Sequence, residues 1–311
     1  MPLIDFIYKK LALKDDYEGE AEATLISSKK NQLGQTPVLY LHGFVDYFFH
    51  PHLAEEFHRH GFNFYALELR KYGHSMLSHQ HPNYCKNTEE YFEEISVVLE
   101  QIYSENGKKI IFLGHSTGGL IAPLYAEKGE NKDLLQALIL NSPFLVLNEP
   151  TIVRELGVPL LGLVSKLAPY ANLPKALDPI YAKSVHKDHT GEWDFNTKYK
   201  PIEGFPAYFA WLSAIKKGQD KIKNGLNIQI PILLLHSSDS FKPKKWSERV
   251  QKSDTVLNVE HMKKYGPLLG ADVTLIEIKD GMHDLFLSSK PIRNHAFKVM
   301  FNWITDKTEL S

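Results

Sequence analysis

The segment Lys109–Leu120 reads KIIFLGHSTGGL, in which an apolar run breaks into the pattern G-x-S-x-G and then resumes with the spacing of a helix. We predict a β-strand, a sharp turn with Ser116 at its apex, and an α-helix. Glycines at positions 114 and 118 leave room for neighbouring chain to pass close to such a turn. The pattern is typical of a nucleophile elbow, in which a serine hydroxyl is presented to a substrate at a helix N-terminus.

Glycine-rich turns of this kind also join strands to helices without a catalytic role, and others bind phosphate. A phosphate-binding turn would normally carry Gly-Lys-Ser/Thr or the pattern G-x-G-x-x-G, and neither is present here. With Ser116 as nucleophile, the backbone amide of Thr117 and the positive end of the helix dipole would face the oxygen that gains negative charge. Thr117 is therefore a candidate donor of an oxyanion hole.

Short apolar runs alternate with helical patterns along most of the chain, which predicts an α/β fold with a mostly parallel sheet. The strand candidates are Val38–Leu41, Phe62–Leu69, Ile110–Leu113, Ala137–Leu140, Ile232–Leu235 and Val273–Ile278. The helix candidates are Leu53–His60, Thr88–Tyr103, Gly119–Glu127 and Pro291–Ile304. One region interrupts this alternation. It contains prolines and aromatic residues but no clear strand. We predict a core of residues 1–144 and 228–311, and an inserted helical cap of residues 145–227.

The composition excludes several classes of protein. The chain has 311 residues, 43% of them hydrophobic, and a formal net charge of −1, so we expect a large core and no nucleic-acid partner. Residues 1–10 lack the apolar run of a signal peptide, and no stretch approaches the ~20 apolar residues of a membrane-spanning helix. The single cysteine, Cys85, cannot form an internal disulfide. We therefore expect a cytoplasmic protein in which Cys85 is not a nucleophile.

An acyl-transfer serine needs a base, an acid that orients the base, and two donors for the oxyanion. We predict His283 as the base, because it lies between the strand candidate Val273–Ile278 and the last helix. The second oxyanion donor is predicted to be the amide of Phe44, in the His-Gly-Phe turn that follows the first strand candidate. We assign His42, in the same turn, a supporting hydrogen-bonding role rather than that of the base.

Two aspartates compete for the role of the orienting acid. Asp239 follows the strand candidate Ile232–Leu235 almost directly, whereas Asp254 stands after a further segment, Phe241–Lys252, which would be an insertion. Between Asp254 and His283 there is room for one helix and one strand. We predict Asp254 as the acid and keep Asp239 as the alternative.

Four other histidines are close together in the sequence: His50, His52, His58 and His60. No cysteine or carboxylate completes a recognisable set of metal ligands with them. We therefore predict solvated histidines in loops and helices, and no metal.

Four segments, which span nearly the whole chain, resemble those of α/β-hydrolases of the monoacylglycerol lipase, lysophospholipase and serine aminopeptidase-like group. They are LHGF at 41–44, LELRKYGHS at 67–75, GHSTGG at 114–119 and GMHD at 281–284. The second resembles the family's Asp-x-Arg-Gly-x-Gly-x-Ser turn, with Glu68 for Asp and Lys71 for the first Gly, and we interpret it as structural. In relatives of this fold the acid is usually followed by x-[Val/Ile]-x and a helix, which the sequence after Asp254 fits better than that after Asp239.

The resemblance implies an α/β-hydrolase fold and ester hydrolysis through an acyl-enzyme, without a metal or an organic cofactor. We expect a small-molecule ester substrate with a hydrophobic acyl group, because the cap is rich in apolar and aromatic residues. Amide or aminopeptidase-type hydrolysis is one alternative, for which Glu149, Glu155 and Glu203 are candidate anchors of a substrate amine. A catalytically silent binding protein is the other, although it would have no need of a complete Ser, His and Asp set.

Overall fold

A central eight-stranded sheet organises the computed structural model, which describes residues 5–174 and 177–308. The strands of the chain are β1 (Phe6–Ala12), β2 (Glu22–Ser28), β3 (Thr36–Leu41), β4 (Phe62–Glu68), β5 (Ile110–His115), β6 (Leu135–Asn141), β7 (Asn172–Leu173), β8 (Ala207–Tyr208), β9 (Ile232–Ser237) and β10 (Val273–Ile278). The central sheet has the order β1-β2-β4-β3-β5-β6-β9-β10. Among the strand pairs of this central sheet, β1/β2 and β2/β4 are antiparallel and the others are parallel. The predicted α/β fold with a mostly parallel sheet is confirmed.

All six predicted strands are present, and β1 and β2 are additional. These two strands add an antiparallel edge to the parallel sheet, where β2 pairs with β4 through Thr24 opposite Glu68. Residues 1–4, on which the prediction about a signal peptide partly rests, lie outside the described residues.

Helices cover both faces of the sheet. They are α1 (Pro51–Arg59), α2 (Phe92–Asn106), α3 (Gly118–Lys128), α4 (Val158–Leu167), α5 (Pro179–Val185), α6 (Phe209–Lys223), α7 (Val259–Tyr265) and α8 (Lys290–Lys307). Ile95 of α2 and Leu120 of α3 belong to the hydrophobic cluster on one face. Phe57 of α1 and Phe297 of α8 belong to the cluster on the other. Within the described residues, no helix is long and apolar enough to cross a membrane.

The cap segment 145–227 connects β6 to β9 and contains α4, α5 and α6. The expectation that it holds no strand is wrong in one detail, because β7 and β8 pair there as a two-residue antiparallel ladder. Helix α4 packs on α6 and continues from a π-helical turn, Val153–Gly157. This helical stretch turns large apolar side chains to the outside, namely Ile152, Leu156, Leu160, Leu163 and Leu167.

The register of the parallel strands brings their carboxyl ends to one edge of the sheet. Gly114 of β5 lies opposite Leu41 of β3, and Asn141 of β6 lies opposite both His115 and Leu235. At the far end, β10 stays in register with β9 as far as Ile278. Loops that follow these strands therefore meet at this edge, which is where open α/β sheets place their sites.

Candidate active site

Ser116 lies at the apex of the turn between β5 and α3. Its φ angle is +52°, a left-handed conformation that is costly for a residue with a Cβ. A Cβ atom on Gly114 would lie 2.5 Å from the carbonyl oxygen of Gly118, and one on Gly118 would lie 2.5 Å from the carbonyl oxygen of Leu41. Only glycine therefore fits at either position of this turn. The Ser116 amide donates to the carbonyl oxygen of Asn141 at 3.1 Å, which ties the apex to β6.

The turn that follows β3 lies directly against Ser116. A Cβ on Gly43 would be 3.1 Å from the Ser116 Cβ. Within residues 5–174 and 177–308, neither the amide of Phe44 nor that of Thr117 donates a hydrogen bond. Thr117 also stands at the N-terminus of α3, where the helix dipole is positive. Both predicted donors are thus available to an anion beside Ser116.

His42 holds this turn in place. Its Nδ1 lies 2.8 Å from the carbonyl oxygen of Gly43, and its Nε2 accepts a hydrogen bond from the amide of Leu69 at 3.2 Å. These contacts suit a neutral imidazole that donates through Nδ1. Burial lowers the pKa of His42, in agreement with that tautomer.

His283 and Asp254 form a buried hydrogen-bonded pair. His283 Nδ1 lies 2.9 Å from Asp254 Oδ2, and both residues are almost completely buried. The other carboxylate oxygen of Asp254 accepts from the amides of Val256 at 2.9 Å and Leu257 at 2.7 Å, which fixes the orientation of the carboxylate. With Nδ1 engaged as donor, Nε2 of His283 keeps a free lone pair.

Asp239, the alternative acid, has a different partner. Its carboxylate accepts from Arg249 at 2.7 Å and 3.0 Å and is half exposed. Asp239 contacts the His283–Asp254 pair only through its backbone, since its carbonyl oxygen accepts from the amide of Asp254 at 2.8 Å.

Ser116 follows β5 at the same edge of the sheet as the His283–Asp254 pair, and no hydrogen bond joins it to that pair within the described residues. The ring of its neighbour His115 lies 4.9 Å from the ring of His283, measured between centroids. Within the described residues, the Ser116 hydroxyl makes no hydrogen bond to another side chain. Loose nucleophile–base geometry is common in hydrolases without a bound substrate.

The segment 145–227 contacts the candidate site at two places. Trp211 of α6 stacks on Phe44 with ring centroids 4.0 Å apart, and Tyr181 of α5 meets the ring of His283 edge-on at 5.5 Å. Ser116 is only 8% exposed and His283 only 3%. Both residues are therefore largely shielded from solvent, and aromatic residues of the segment 145–227 pack against their surroundings.

A buried ion pair also joins the cap to the core. Lys200 of the cap donates to Asp46 at 2.7 Å, two residues beyond Phe44. Burial works against the charged carboxylate, but the Lys200 ammonium and neighbouring histidines outweigh it and lower the pKa of Asp46. No pattern in the sequence marks this pair, because its members are 154 residues apart.

The residue after His283 belongs to a polar network that the sequence did not suggest. Asp284 is fully buried, and its carboxylate accepts from His50 Nε2 at 3.0 Å and from Asn141 Nδ2 at 2.8 Å. The prediction that His50 is a solvated histidine is therefore wrong. His52 is also largely buried, and burial lowers its pKa to about 3.

The remaining members of the histidine group have protein partners of their own. His58 Nε2 bonds to the hydroxyl of Ser28, and His60 Nδ1 bonds to the carbonyl oxygen of Glu56. Across residues 5–174 and 177–308, no group of three or more His, Cys, Asp or Glu side chains is placed to hold a metal ion.

Lys71 stands where the family turn has a glycine, and its side chain is held by buried contacts. It adopts a φ of +67° and is fully buried, with its ammonium 2.7 Å from both Asp16 and Glu18. Cys85 is likewise buried, and burial raises the pKa of its thiol. The three glutamates considered as amine anchors are exposed, and Glu155 pairs with Lys216 on the cap surface.

Fold and site together define an α/β-hydrolase. The model of the serine aminopeptidase S33 family matches residues 35–289, so the chain belongs to this family. A comparison with curated proteins gives no match.

Solved structures of lipases and esterases share the fold at low sequence identity. A soluble variant of monoglyceride lipase from Saccharomyces cerevisiae, solved with a substrate analogue, is 18% identical with a TM-score of 0.72, covering 99% of this chain and 97% of that one. The monoacylglycerol lipase of Paleococcus ferrophilus is 20% identical with a TM-score of 0.67, covering 89% and 97%. A thermostable carboxyl esterase from Bacillus coagulans is 14% identical with a TM-score of 0.65, covering 96% and 98%.

Proposed function

We propose that this protein hydrolyses carboxylic esters through an acyl-enzyme on Ser116, with His283 as base and Asp254 as orienting acid. The observation that carries the proposal is the 2.9 Å hydrogen bond between His283 and Asp254, at the sheet edge where the turn after β5 also holds Ser116 at a φ of +52°. This combination supports a nucleophilic serine and a base of fixed tautomer that can activate it. A strand-to-helix turn with a purely structural role would require neither.

The first half of the reaction forms the acyl-enzyme. Ser116 Oγ attacks the ester carbonyl carbon while His283 Nε2 takes the hydroxyl proton. The amides of Phe44 and Thr117 donate to the oxyanion, which lies at the positive end of α3. As the tetrahedral intermediate collapses, His283 gives its proton to the leaving alkoxide and the alcohol departs.

The second half repeats these steps with water as the nucleophile. His283 Nε2 takes a proton from water, whose oxygen attacks the acyl carbon, and the same two amides hold the oxyanion. Collapse releases the carboxylic acid, and the proton on His283 returns to Ser116. Asp254 keeps the imidazole in one orientation and stabilises the imidazolium that forms.

The aromatic residues around the candidate site favour a hydrophobic acyl group. Phe44 and Trp211 form a stacked aromatic wall next to the predicted oxyanion hole, and Tyr181 presents its ring edge at His283. An acyl chain that replaces water along these rings gains about 25 cal/mol for each Å² of apolar surface removed from water. The similarity of the fold to lipases and esterases supports the same substrate class.

Covalent labelling tests the nucleophile directly. The wild-type protein and Ser116→Ala are treated with a fluorophosphonate, and their intact masses are compared. We expect one adduct on the wild type and none on the variant. Absence of an adduct on the wild type would contradict the proposal and favour a non-catalytic binding protein.

A substrate series then tests the substrate class. p-Nitrophenyl esters of increasing acyl length are compared with amino-acyl arylamides, with Ser116→Ala as the blank. We expect kcat/KM to rise from short to medium acyl chains and to exceed that for every arylamide. Equal values from short to long chains would contradict a hydrophobic acyl site, and faster arylamide cleavage would favour an aminopeptidase.

A further inference from the structure

Asp284 carries a buried negative charge next to the proposed base. Its Oδ2 accepts from His50 Nε2 at 3.0 Å, and its Oδ1 accepts from Asn141 Nδ2 at 2.8 Å and from the amide of Phe286 at 3.0 Å. The side chain of His115 lies 3.9 Å from the same carboxylate. Burial of a carboxylate is costly unless such donors surround it.

The backbone of the same residue is held from the opposite side, by the cap. The amide of Asp284 donates to the hydroxyl of Tyr181 at 3.2 Å, and the Tyr181 ring lies edge-on against His283. Core residues thus hold the side chain of Asp284, while a residue of the cap holds its main chain. Because Asp284 follows His283 directly, both contacts act on the loop that carries the proposed base.

We propose that Asp284 and Tyr181 are positioning residues which hold His283 in register with Ser116, so that a closed cap completes the active site. The inference rests on the proposed function, in which His283 must reach both Ser116 and Asp254. Within the described residues neither side chain hydrogen-bonds to His283, because Asp284 bonds to His50 and Asn141 and the Tyr181 hydroxyl accepts from a backbone amide, so we assign both a positioning role and no step of proton transfer.

Packing alone gives no reason for a charged group at this position. The apolar side chains of the neighbouring Leu285 and Phe286 are buried in the hydrophobic cluster of α1 and α8, where they anchor the following turn by packing. The carboxylate ties this loop to two further elements. Asn141 is the last residue of β6, next to the elbow of Ser116, and His50 directly precedes α1. Through Asp284, the loop of the base is therefore tied to the strand end that also receives the Ser116 amide.

The test compares Asp284→Asn and Tyr181→Phe with Tyr47→Phe as a matched control. Tyr47 also joins core and cap through a hydroxyl, which accepts from the amide of Asn196 at 2.6 Å, but it does not contact Asp284. Active sites are first counted by fluorophosphonate labelling, and kcat and KM for a p-nitrophenyl ester are then measured per labelled site. Dividing the rate by this count distinguishes a lower kcat, caused by a poorly placed base, from a smaller fraction of folded protein.

We expect kcat per site to fall about 10- to 100-fold in Asp284→Asn, as for other small displacements of a catalytic group. The loss of one neutral hydrogen bond in Tyr181→Phe should lower kcat about 3- to 10-fold. KM should change little in either variant, and Tyr47→Phe should keep the wild-type kcat. Wild-type kcat per site in both test variants would overturn the proposal, even if their thermal stability fell.

A spectroscopic measurement tests the same inference without turnover. The proton shared by His283 Nδ1 and Asp254 should give a low-field resonance in protein labelled with ¹⁵N-histidine. We expect this resonance to broaden or vanish in Asp284→Asn and Tyr181→Phe and to persist in Tyr47→Phe. An unchanged resonance in both test variants would overturn the positioning role, whereas a wild-type protein that neither labels nor hydrolyses esters would overturn the proposed function separately.

Discussion

The carboxylate of Asp254 lies 2.9 Å from Nδ1 of His283, because the chain leaves the end of β9 and then returns to it. After Asp239 the segment moves outward through a short 3₁₀-helix, Glu248–Lys252, and comes back as a bridge between Ser240 and Asp254. The amide of Phe241 donates to the carbonyl oxygen of Asp254 at 2.9 Å, which closes this excursion. The acid therefore lies at the end of β9 in space, although it comes after the excursion in sequence.

Two aspartate variants separate these residues functionally. Asp254→Asn should lower kcat/KM about 10⁴-fold, because an amide at this position favours the wrong tautomer of His283. Asp239→Asn should remain within about twofold of the wild type, since only its half-exposed pair with Arg249 is lost. Both are measured with the same p-nitrophenyl ester. A large loss in Asp239→Asn with a small loss in Asp254→Asn would reverse the assignment.

The close contact of Gly43 with Ser116 predicts a second effect on catalysis. Gly43→Ala places a methyl group 3.1 Å from the Ser116 Cβ and 3.4 Å from the His115 ring, so the oxyanion turn and the elbow must separate. We expect kcat to fall about 10- to 100-fold, because the amide donors then miss the oxyanion. Gly157→Ala is the control, since its methyl group would meet only Val153 at an ordinary 3.7 Å. Equal activity of both variants would contradict this geometry.

Much of the fold could be predicted because buried parallel strands are continuous apolar runs. All of β4 and β10 and most of β3, β5, β6 and β9 follow from that pattern. Strand β1 could not be found in this way, because most of its side chains are exposed at the sheet edge, including Tyr8 and Lys9. In β2 the buried apolar residues are interrupted by Thr24, whose hydroxyl is 2.8 Å from that of Ser75.

The sequence suggested a site residue only where a reactive side chain also stands in a motif or after a predicted strand. Ser116 stands in a motif, and His283 and Asp254 stand after strands in the order that a triad requires. The pairs His50–Asp284 and Asp46–Lys200 join residues more than 150 positions apart, so their contacts depend on the tertiary fold. One signal was nevertheless available for Asp284: a carboxylate directly after a proposed base is a charge that the fold must accommodate.

The burial of Cys85 predicts an inert thiol. Burial raises the pKa of this group, so little thiolate forms at neutral pH and the sulfur is out of reach of reagents. We expect iodoacetamide at pH 8 to leave the native protein unmodified and to add one group in urea, as measured by intact mass. Rapid alkylation of the native protein would contradict this prediction.

The ion pair between Lys200 and Asp46 predicts a pH-dependent contribution to stability. Lys200→Met leaves a buried carboxylate without its cation, so the free energy of unfolding at pH 7 should fall by about 3 to 5 kcal/mol in urea titrations. Asp46→Asn combined with Lys200→Met removes both charges and should recover part of this loss. The control is Lys187→Met, which breaks an ion pair of similar length, 2.6 Å to Asp194, on the exposed surface of the cap and should change little.

The direction of the pH effect follows from the pKa of Asp46, which lies below its ordinary value of 3.8 in the folded protein. A lowered carboxylate pKa stabilises the fold above the pKa of the unfolded chain, and this stability is lost as the pH falls through the folded value. In Lys200→Met the unpaired carboxylate takes up a proton more readily, which relieves its burial cost. The difference in unfolding free energy between the wild type and this variant should therefore be largest at pH 7 and shrink steadily towards pH 4. A difference that stays constant over this range would mean that the loss arises from packing of the lysine stem rather than from its charge.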